Sequence, residues 1–418
     1  MSSGKKTVAG EWIPGPLGMG TELVGWSSVK LPWYAAAQVH ASVSPDNETG
    51  AILTPVFLST TFVQESVDKY LAKGFSYSRT SNPTVRAYEE KIAEIEKAPG
   101  GAAVFGTGMA ATTTVVCGLM NAGDHAVVTE CSYGGTNRIM REQFIPLGME
   151  FSFVDMTDVE NIKKALKPNT KMVFSETPTN PLLRLVDLEA VSALCREKGI
   201  VHVCDSTFAT PVICRPMDFG VDITLQSTTK YYDGHNITTG GALACRTKEL
   251  YQRMKFIQNM HGNIMSPFVA FIQLQTVKTL ELRIQRQSET AMKICKFLEG
   301  HPKCSRVIYP GLESHPQHEL AKKLHRNNLH GGMLWFDVVG GSDSGTKLMN
   351  SIQRPWSLCE NLGATESIIT ACAVMTHANM LPEDRLRLGI VDGFIRVSVG
   401  VEDAEDLIRS LKDSLDQL

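Results

Sequence analysis

The chain has 418 residues, 43% hydrophobic and 20% charged, with a formal net charge of −3. At about 150 residues per domain, that length predicts two or three domains rather than one core. The weakly acidic balance argues against a nucleic-acid binder, and no apolar run reaches the about 20 residues of a membrane helix.

Residues 1–34 are rich in Gly, Pro and Ser and lack periodicity, so they read as a flexible tail. The opening MSSGKKTVAGEWIPGPLG has no apolar core of a secretory signal. Residues 35–81, with Pro55 and FSYSRTSNPT, read as an arm. Residues 82–282 become regular. RAYEEKIAEIEK has a helical pattern, and the strand-like runs AAVFGT, HAVVTE, FSFVD, KMVFSET, VHVCDST, DITLQST and GALACRT follow. Helical segments MAATTTVVCGLM, TNRIMREQF, VENIKKAL and LEAVSALCREKG lie between them. This alternation predicts an α/β domain with a mostly parallel seven-stranded sheet. One long helical run from about 272 leads to a smaller α+β domain over 283–418, with GGMLWFDVVG and FIRVSVG as strands and KLMNSIQ as a helix. Ten cysteines include no C-x-x-C pair, and most lie in apolar runs. They read as small buried hydrophobes of a cytoplasmic protein, with no metal site expected.

Polar residues cluster at the ends of four strands, where parallel sheets place their ligands, and a fifth adds an aromatic ring. Gly106 and Gly108 follow a strand and Met109 opens a helix, a start suited to a phosphate, although many such turns are only turns. Asp205 ends a strongly apolar strand, as a helix cap, an ion pair or a partner for a protonated ring nitrogen. About one β-α-β unit later, Ser227, Thr228 and Thr229 precede Lys230, a solvated charge or a reacting amine. Asn180 follows KMVFSE, and Tyr133 follows HAVVTE as a candidate stacking ring. An amine for an aldehyde, a carboxylate for a pyridinium and donors for a phosphate suit pyridoxal 5'-phosphate (PLP). The chain has neither G-x-x-x-x-G-K-[ST] nor G-x-G-x-x-G, which disfavours a nucleotide.

The blocks YSRTSNPT, GTGMAA, YGGTNR, ETPTNP, CDSTF, STTKY, YPGLESHPQHELA, NLGATES, MTHANM and IRVSVGVED occur in order. With them the chain resembles the transsulfuration, or Cys/Met-metabolism, family of PLP enzymes from about Gln38 to its C-terminus. The resemblance implies a fold-type I PLP-dependent transferase architecture. It makes Lys230 the Schiff-base lysine, Asp205 the pyridinium partner and Tyr133 the stacking ring and proton donor. Gly108, Met109, Ser227 and Thr229 would hold the phosphate. Tyr77 and Arg79 would reach the phosphate of a neighbouring subunit, implying a dimer at least and a homotetramer as the family norm. Arg396 would clamp the substrate carboxylate, with Asn180, Arg138, Glu360 and Asn361 also on the substrate side. The implied reaction is γ-elimination of cystathionine to cysteine, 2-oxobutanoate and ammonia. γ-Replacement on an activated homoserine ester, β-cleavage and a non-catalytic PLP-fold scaffold are the alternatives.

Gly135 stands where a methionine-cleaving branch carries Cys, and Glu360 where a β-cleaving branch carries an aromatic residue. A glutamate there suits the distal ammonium of cystathionine, although alone it would read as a surface carboxylate. Asn361 replaces a usual Ser near the lysine, so its amide is expected to reposition Lys230 or slow proton transfer. Ser206 replaces a usual Asn, and Val269 a usual Asp that joins domains. His315, His318, His325 and His330 lie close in SHPQHELAKKLHRNNLH, expected to be a solvated helix with loop histidines. His235 is expected to be structural.

Overall fold

A computed structural model describes residues 38–418 except 44, 47, 373, 374 and 376–388. The tail expected over residues 1–34 and most of MTHANM lie outside the described residues. The larger sheet contains β1 (Gly101–Phe105), β2 (His125–Thr129), β3 (Glu150–Val154), β4 (Thr170–Glu176), β5 (Val201–Asp205), β6 (Ile223–Gln226) and β7 (Gly241–Cys245). Their order is β1-β7-β6-β5-β4-β2-β3, with only β7 antiparallel to its neighbours. The seven strands coincide with the seven apolar runs of the sequence. Strands covered on both faces must be apolar throughout, which makes them legible.

Helices cover both faces. α1 (Pro83–Glu96) starts on Asn82, whose side chain accepts from the Thr84 and Val85 N–H groups, with Pro83 in the first turn. α2 (Gly108–Leu119) starts on Thr107, which accepts from Ala110 N–H. α3 (Gly134–Ile139) continues into a wider turn over Met140–Phe144, so the regular helix expected over TNRIMREQF is broken there. α4 (Val159–Ala165) and α5 (Leu188–Lys198) are capped by Asp158 and Asp187, and α5 stops at left-handed Gly199.

Next come α6 (Thr210–Ile213), α7 (Lys248–His261), α8 (Pro267–Thr276) and α9 (Leu280–Glu299). The single run expected from about 272 is therefore two helices joined by a tight turn at Val277–Thr279. The Thr276 carbonyl accepts from the Thr279 hydroxyl and the Arg283 guanidinium, which compete with the helical ladder.

The smaller sheet contains β8 (Cys304–Ile308), β9 (Met333–Val338), β10 (Ser357–Leu358), β11 (Ile368–Ala371) and β12 (Phe394–Ser398), in the order β10-β11-β12-β9-β8. α10 (His318–Leu324), α11 (Gly341–Ser351) and α12 (Ala404–Leu415) accompany it. Trp335 and Phe394 of this sheet share one apolar cluster with Tyr231, Tyr232 and Leu362 beside the candidate site. α9 ties the two parts together. Its Arg283 donates to the Tyr231 carbonyl at 2.7 Å and its Gln287 to the Ala364 carbonyl at 2.8 Å. Val269, on α8, packs partly buried against the same cluster.

Three of the four clustered histidines are buried rather than solvated: His315, His325 and His330. His325 Nδ1 lies 2.9 Å from His330 Nδ1, and burial pulls both rings down, His325 to about 3 and His330 to about 4. They are therefore neutral, one donating to the other. Among the described residues, no group of three or more His, Cys, Asp or Glu is arranged to hold a metal ion. No helix among them is long and apolar enough to cross a membrane.

Candidate active site

Parallel register builds the floor of the site. Glu176 and Asp205 are Cα partners at the ends of β4 and β5, and Asp205 pairs with Leu225 of β6. Partners in register point to the same face, so two carboxylates meet in the interior. Asp205 Oδ1 accepts from Thr207 N at 2.9 Å and from Thr207 Oγ1 at 2.6 Å. Thr207 Oγ1 in turn accepts from Ser227 N at 2.9 Å, which links the end of β5 to the segment after β6. Burial pushes the Asp205 carboxyl up, against the two Thr207 hydrogen bonds. Burial and then the Asp205 charge push Glu176 up as well.

Glu176 was not singled out in the sequence, where it looks like the polar end of an apolar strand. Its Oε2 accepts from Tyr133 N at 2.8 Å and its Oε1 from Asn180 N at 2.7 Å. One carboxyl group therefore holds both the start of α3 and the ETPTNP turn. Asn180 Oδ1 and Ser132 Oγ are buried without a hydrogen-bond partner among the described residues. The Tyr133 side chain is about half exposed, at 47%.

The Lys230 loop is pinned from below. Gln226 Nε2 and the Tyr232 hydroxyl both donate to Glu96 Oε1, at 2.9 and 2.6 Å. Beyond it, the buried Asp233 carboxylate accepts from the N–H groups of His235, Ile237 and Thr238. His235 Nδ1 rests 2.6 Å from the Asp233 carbonyl, consistent with a structural role. Lys230 Nζ donates to Asn361 Oδ1 at 2.7 Å. Burial, then the charge of Arg396, pulls the lysine down to about 8.

Gly108 explains the first cup of the site. A Cβ at Gly108 would stand 2.9 Å from the Ser227 Cβ and Oγ, so only glycine lets the α2 start approach Ser227. The first N–H groups of a helix have no partner within it, and here Gly108 and Met109 supply them beside a serine hydroxyl. Thr229 differs from expectation. Its hydroxyl donates to Gly240 O at 3.2 Å and accepts from Gly240 N at 2.9 Å, so its proton is already engaged.

The smaller sheet supplies the opposite wall. Arg396, on β12, is buried and donates to the carbonyls of Glu360 and Asn361. Burial pulls its guanidinium down, opposed by Cys372, Glu360, Cys359 and Tyr133 in that order. Glu360 itself is exposed, and so is Arg138 on α3. Arg79 is held elsewhere, donating to Asn259 O and Oδ1 at 2.7 and 2.9 Å at the end of α7, and Tyr77 is exposed.

A family profile described as Cys/Met metabolism PLP-dependent enzyme matches residues 35–416. The chain belongs to this family. As a PLP-dependent enzyme of Cys/Met metabolism, it is similar to several named proteins. It is 42% identical to a cystathionine gamma-lyase of Dictyostelium discoideum, over 91% of this chain and 96% of that one. It is 42% identical to a cystathionine beta-lyase of Coxiella burnetii, over 90% and 96%. It is 37% identical to a cystathionine gamma-synthase of Mycobacterium bovis, over 95% and 100%. A solved structure, metB from Corynebacterium glutamicum, superposes with a TM-score of 0.87 at 37% identity, covering 92% of this chain and 98% of that one.

The residues of this PLP enzyme fit the cofactor. Two buried carboxyls side by side call for a cation, and a protonated ring nitrogen is one. The Gly108–Ser227 approach leaves donors where a phosphate needs them. The buried, orphaned Asn180 Oδ1 is an acceptor that a donor on a bound group would satisfy.

Proposed function

We propose that this enzyme cleaves L-cystathionine at Cγ, taking up water to give L-cysteine, 2-oxobutanoate and ammonia. The observation that carries this reading is the pairing of a buried Arg396 with an exposed Glu360 in the same wall. Arg396 suits the α-carboxylate bidentately, and Glu360 suits the distal ammonium at the mouth. The names of the two relatives at 42% identity divide between γ- and β-cleavage. Glu360 stands where a β-cleaving branch would carry an aromatic residue, and that residue type supports the γ reading.

In this reading Lys230 would anchor PLP at rest and become a free amine when the substrate's amine takes its place, and the cofactor would supply an electron sink for charge at Cα. Asp205 holds a proton on the ring nitrogen. Lys230, already drawn down to about 8, would take the Cα proton and, once it has passed that proton on, the Cβ proton. The Tyr133 phenol delivers a proton to the departing sulfur. Asn180 and Arg138 complete the substrate side, and Gly108, Met109, Ser227 and Thr229 line the phosphate end. The Thr229 hydroxyl would donate to the phosphate only once its proton leaves the Gly240 carbonyl.

We further propose that Tyr77 and Arg79 serve a second copy's site in a homodimer or tetramer. The arm around them exposes Ile52, Leu58, Val63 and Val67 by 74–92%, a load of apolar surface that a second copy would cover. Product analysis tests the chemistry. Cystathionine alone should yield cysteine and 2-oxobutanoate. Homocysteine with pyruvate would mean β-cleavage, and faster cystathionine formation from an activated homoserine ester would mean a synthase.

A further inference from the structure

Lys230 ends on an amide, and an amide can present either its oxygen or its NH2. What lies behind Asn361 decides which. Asn361 Nδ2 donates to Asn236 Oδ1 at 2.6 Å, and Asn236 Nδ2 donates to Glu366 Oε2 at 3.0 Å. A carboxylate only accepts. Asn236 must therefore turn its NH2 to Glu366 and its oxygen to Asn361. Asn361 must then turn its NH2 to Asn236, which leaves its oxygen for Lys230. One acceptor-only terminus sets the direction of two amides in series.

The backbone holds the row in place. Asn236 has φ +56°, a left-handed conformation that asparagine tolerates better than most residues. Thr365 N donates to Gly234 O at 2.9 Å, joining the two loops that carry the row. The Thr365 hydroxyl donates to Glu366 Oε2 at 3.2 Å.

We propose that Glu366 and Asn236 are positioning residues that make Asn361 offer its oxygen, and not its NH2, to Lys230. This rests on Lys230 being the reacting amine. The oxygen takes one N–H of the lysine and leaves the amine lone pair free for a substrate proton. A reversed amide would donate into that lone pair and repel the ammonium. Arg396 is the charged group that acts on Lys230 from the facing strand, with Glu360, Cys359, Cys372 and Tyr133 around its guanidinium. None of these changes in the variants below.

The test compares E366Q, N236A and E366D in the full chain. In the cofactor-free protein, acetylation of Lys230 by acetic anhydride is followed by mass spectrometry across pH. The midpoint should fall in E366Q and N236A, because an acceptor that held the ammonium is lost. E366D, still acceptor-only, should keep the midpoint of the unaltered chain. With PLP loaded, E366Q and N236A should lose about three- to tenfold in kcat, with the acid limb moved to lower pH and KM unchanged. A purely structural role would instead lower melting temperature and PLP occupancy without moving the midpoint. An unmoved midpoint in E366Q and N236A, or E366D behaving as E366Q does, overturns the proposal. A PLP-loaded chain without a visible band, or one whose band survives K230A, overturns the reading of Lys230 itself.

Discussion

The two walls of the site are made by different means. On the sheet side, Glu176, Asp205 and Ser227 stand at or just past the ends of neighbouring parallel strands, and register alone brings them together. On the opposite side, Glu360 and Asn361 lie in irregular chain between β10 and β11, aimed by side-chain and backbone hydrogen bonds. The first wall cannot shift without re-registering a sheet. The second can change residue by residue, as at Asn361, without re-registering a strand. In the proposed reading, cofactor chemistry would sit on the rigid wall and substrate choice on the adjustable one.

The largest break in that division is Lys230→Ala. It should abolish the visible band of the loaded enzyme and lower turnover by at least about a thousandfold. Retained turnover would show that another base serves.

Asp205→Asn tests the rigid wall. Loss of the ring-nitrogen partner should cost about a hundredfold or more in turnover, with weaker PLP retention. The same change removes one of two crowded buried carboxyls. The cofactor-free variant should therefore melt higher than the parent, a trade of stability against function. A lower melting temperature would mean that the Thr207 hydrogen bonds outweigh the repulsion.

Arg396→Lys probes the adjustable wall. A lysine keeps the charge but not the fork, so KM for cystathionine should rise about tenfold or more while PLP uptake is unchanged. A change in PLP spectrum with unaltered KM would move Arg396 to the cofactor side.

Asn361→Ser is a finer probe. A shorter hydroxyl cannot bridge Lys230 and Asn236, so turnover should fall about threefold, and E366Q should add nothing in that background. Additive effects in steady-state kinetics would separate the two residues.

The smallest effect concerns support beneath the lysine loop. Glu96 is held at about 7 by burial, opposed by its Tyr232 and Gln226 hydrogen bonds. Its folded value is raised, so its stabilising contribution is complete below about pH 4.5 and is lost as pH rises through about 7. Glu96→Gln keeps an oxygen for Gln226 and Tyr232 without the charge. It should flatten that loss and stabilise the chain at pH 8 by of the order of 1–3 kcal/mol in urea titrations.

Much of the fold was legible for a physical reason. Strands buried on both faces must be apolar, as six of the seven are, and the seven runs alternated with helical patterns. β8 and β10 were missed because β8 is half-exposed and β10 has only two residues, and β11 was missed although it is as long and as buried as β6. The histidine segment misled because its composition is polar, yet packing buries three rings and lets two satisfy each other. Glu176 was invisible for a similar reason, since only the β4–β5 register shows that it shares its space with Asp205.

By itself the sequence determined the fold class, the family and the cofactor, because these rest on local periodicity and on ordered blocks of residues. Tertiary structure decided which carboxyls crowd together and which way the Asn361 amide points. Those depend on partners distant in the chain: Glu176 meets the Tyr133 backbone across 43 positions, and Asn236 meets Glu366 across 130. Hydrogen-bond direction is a property of the whole row, so no single residue in the sequence carries it.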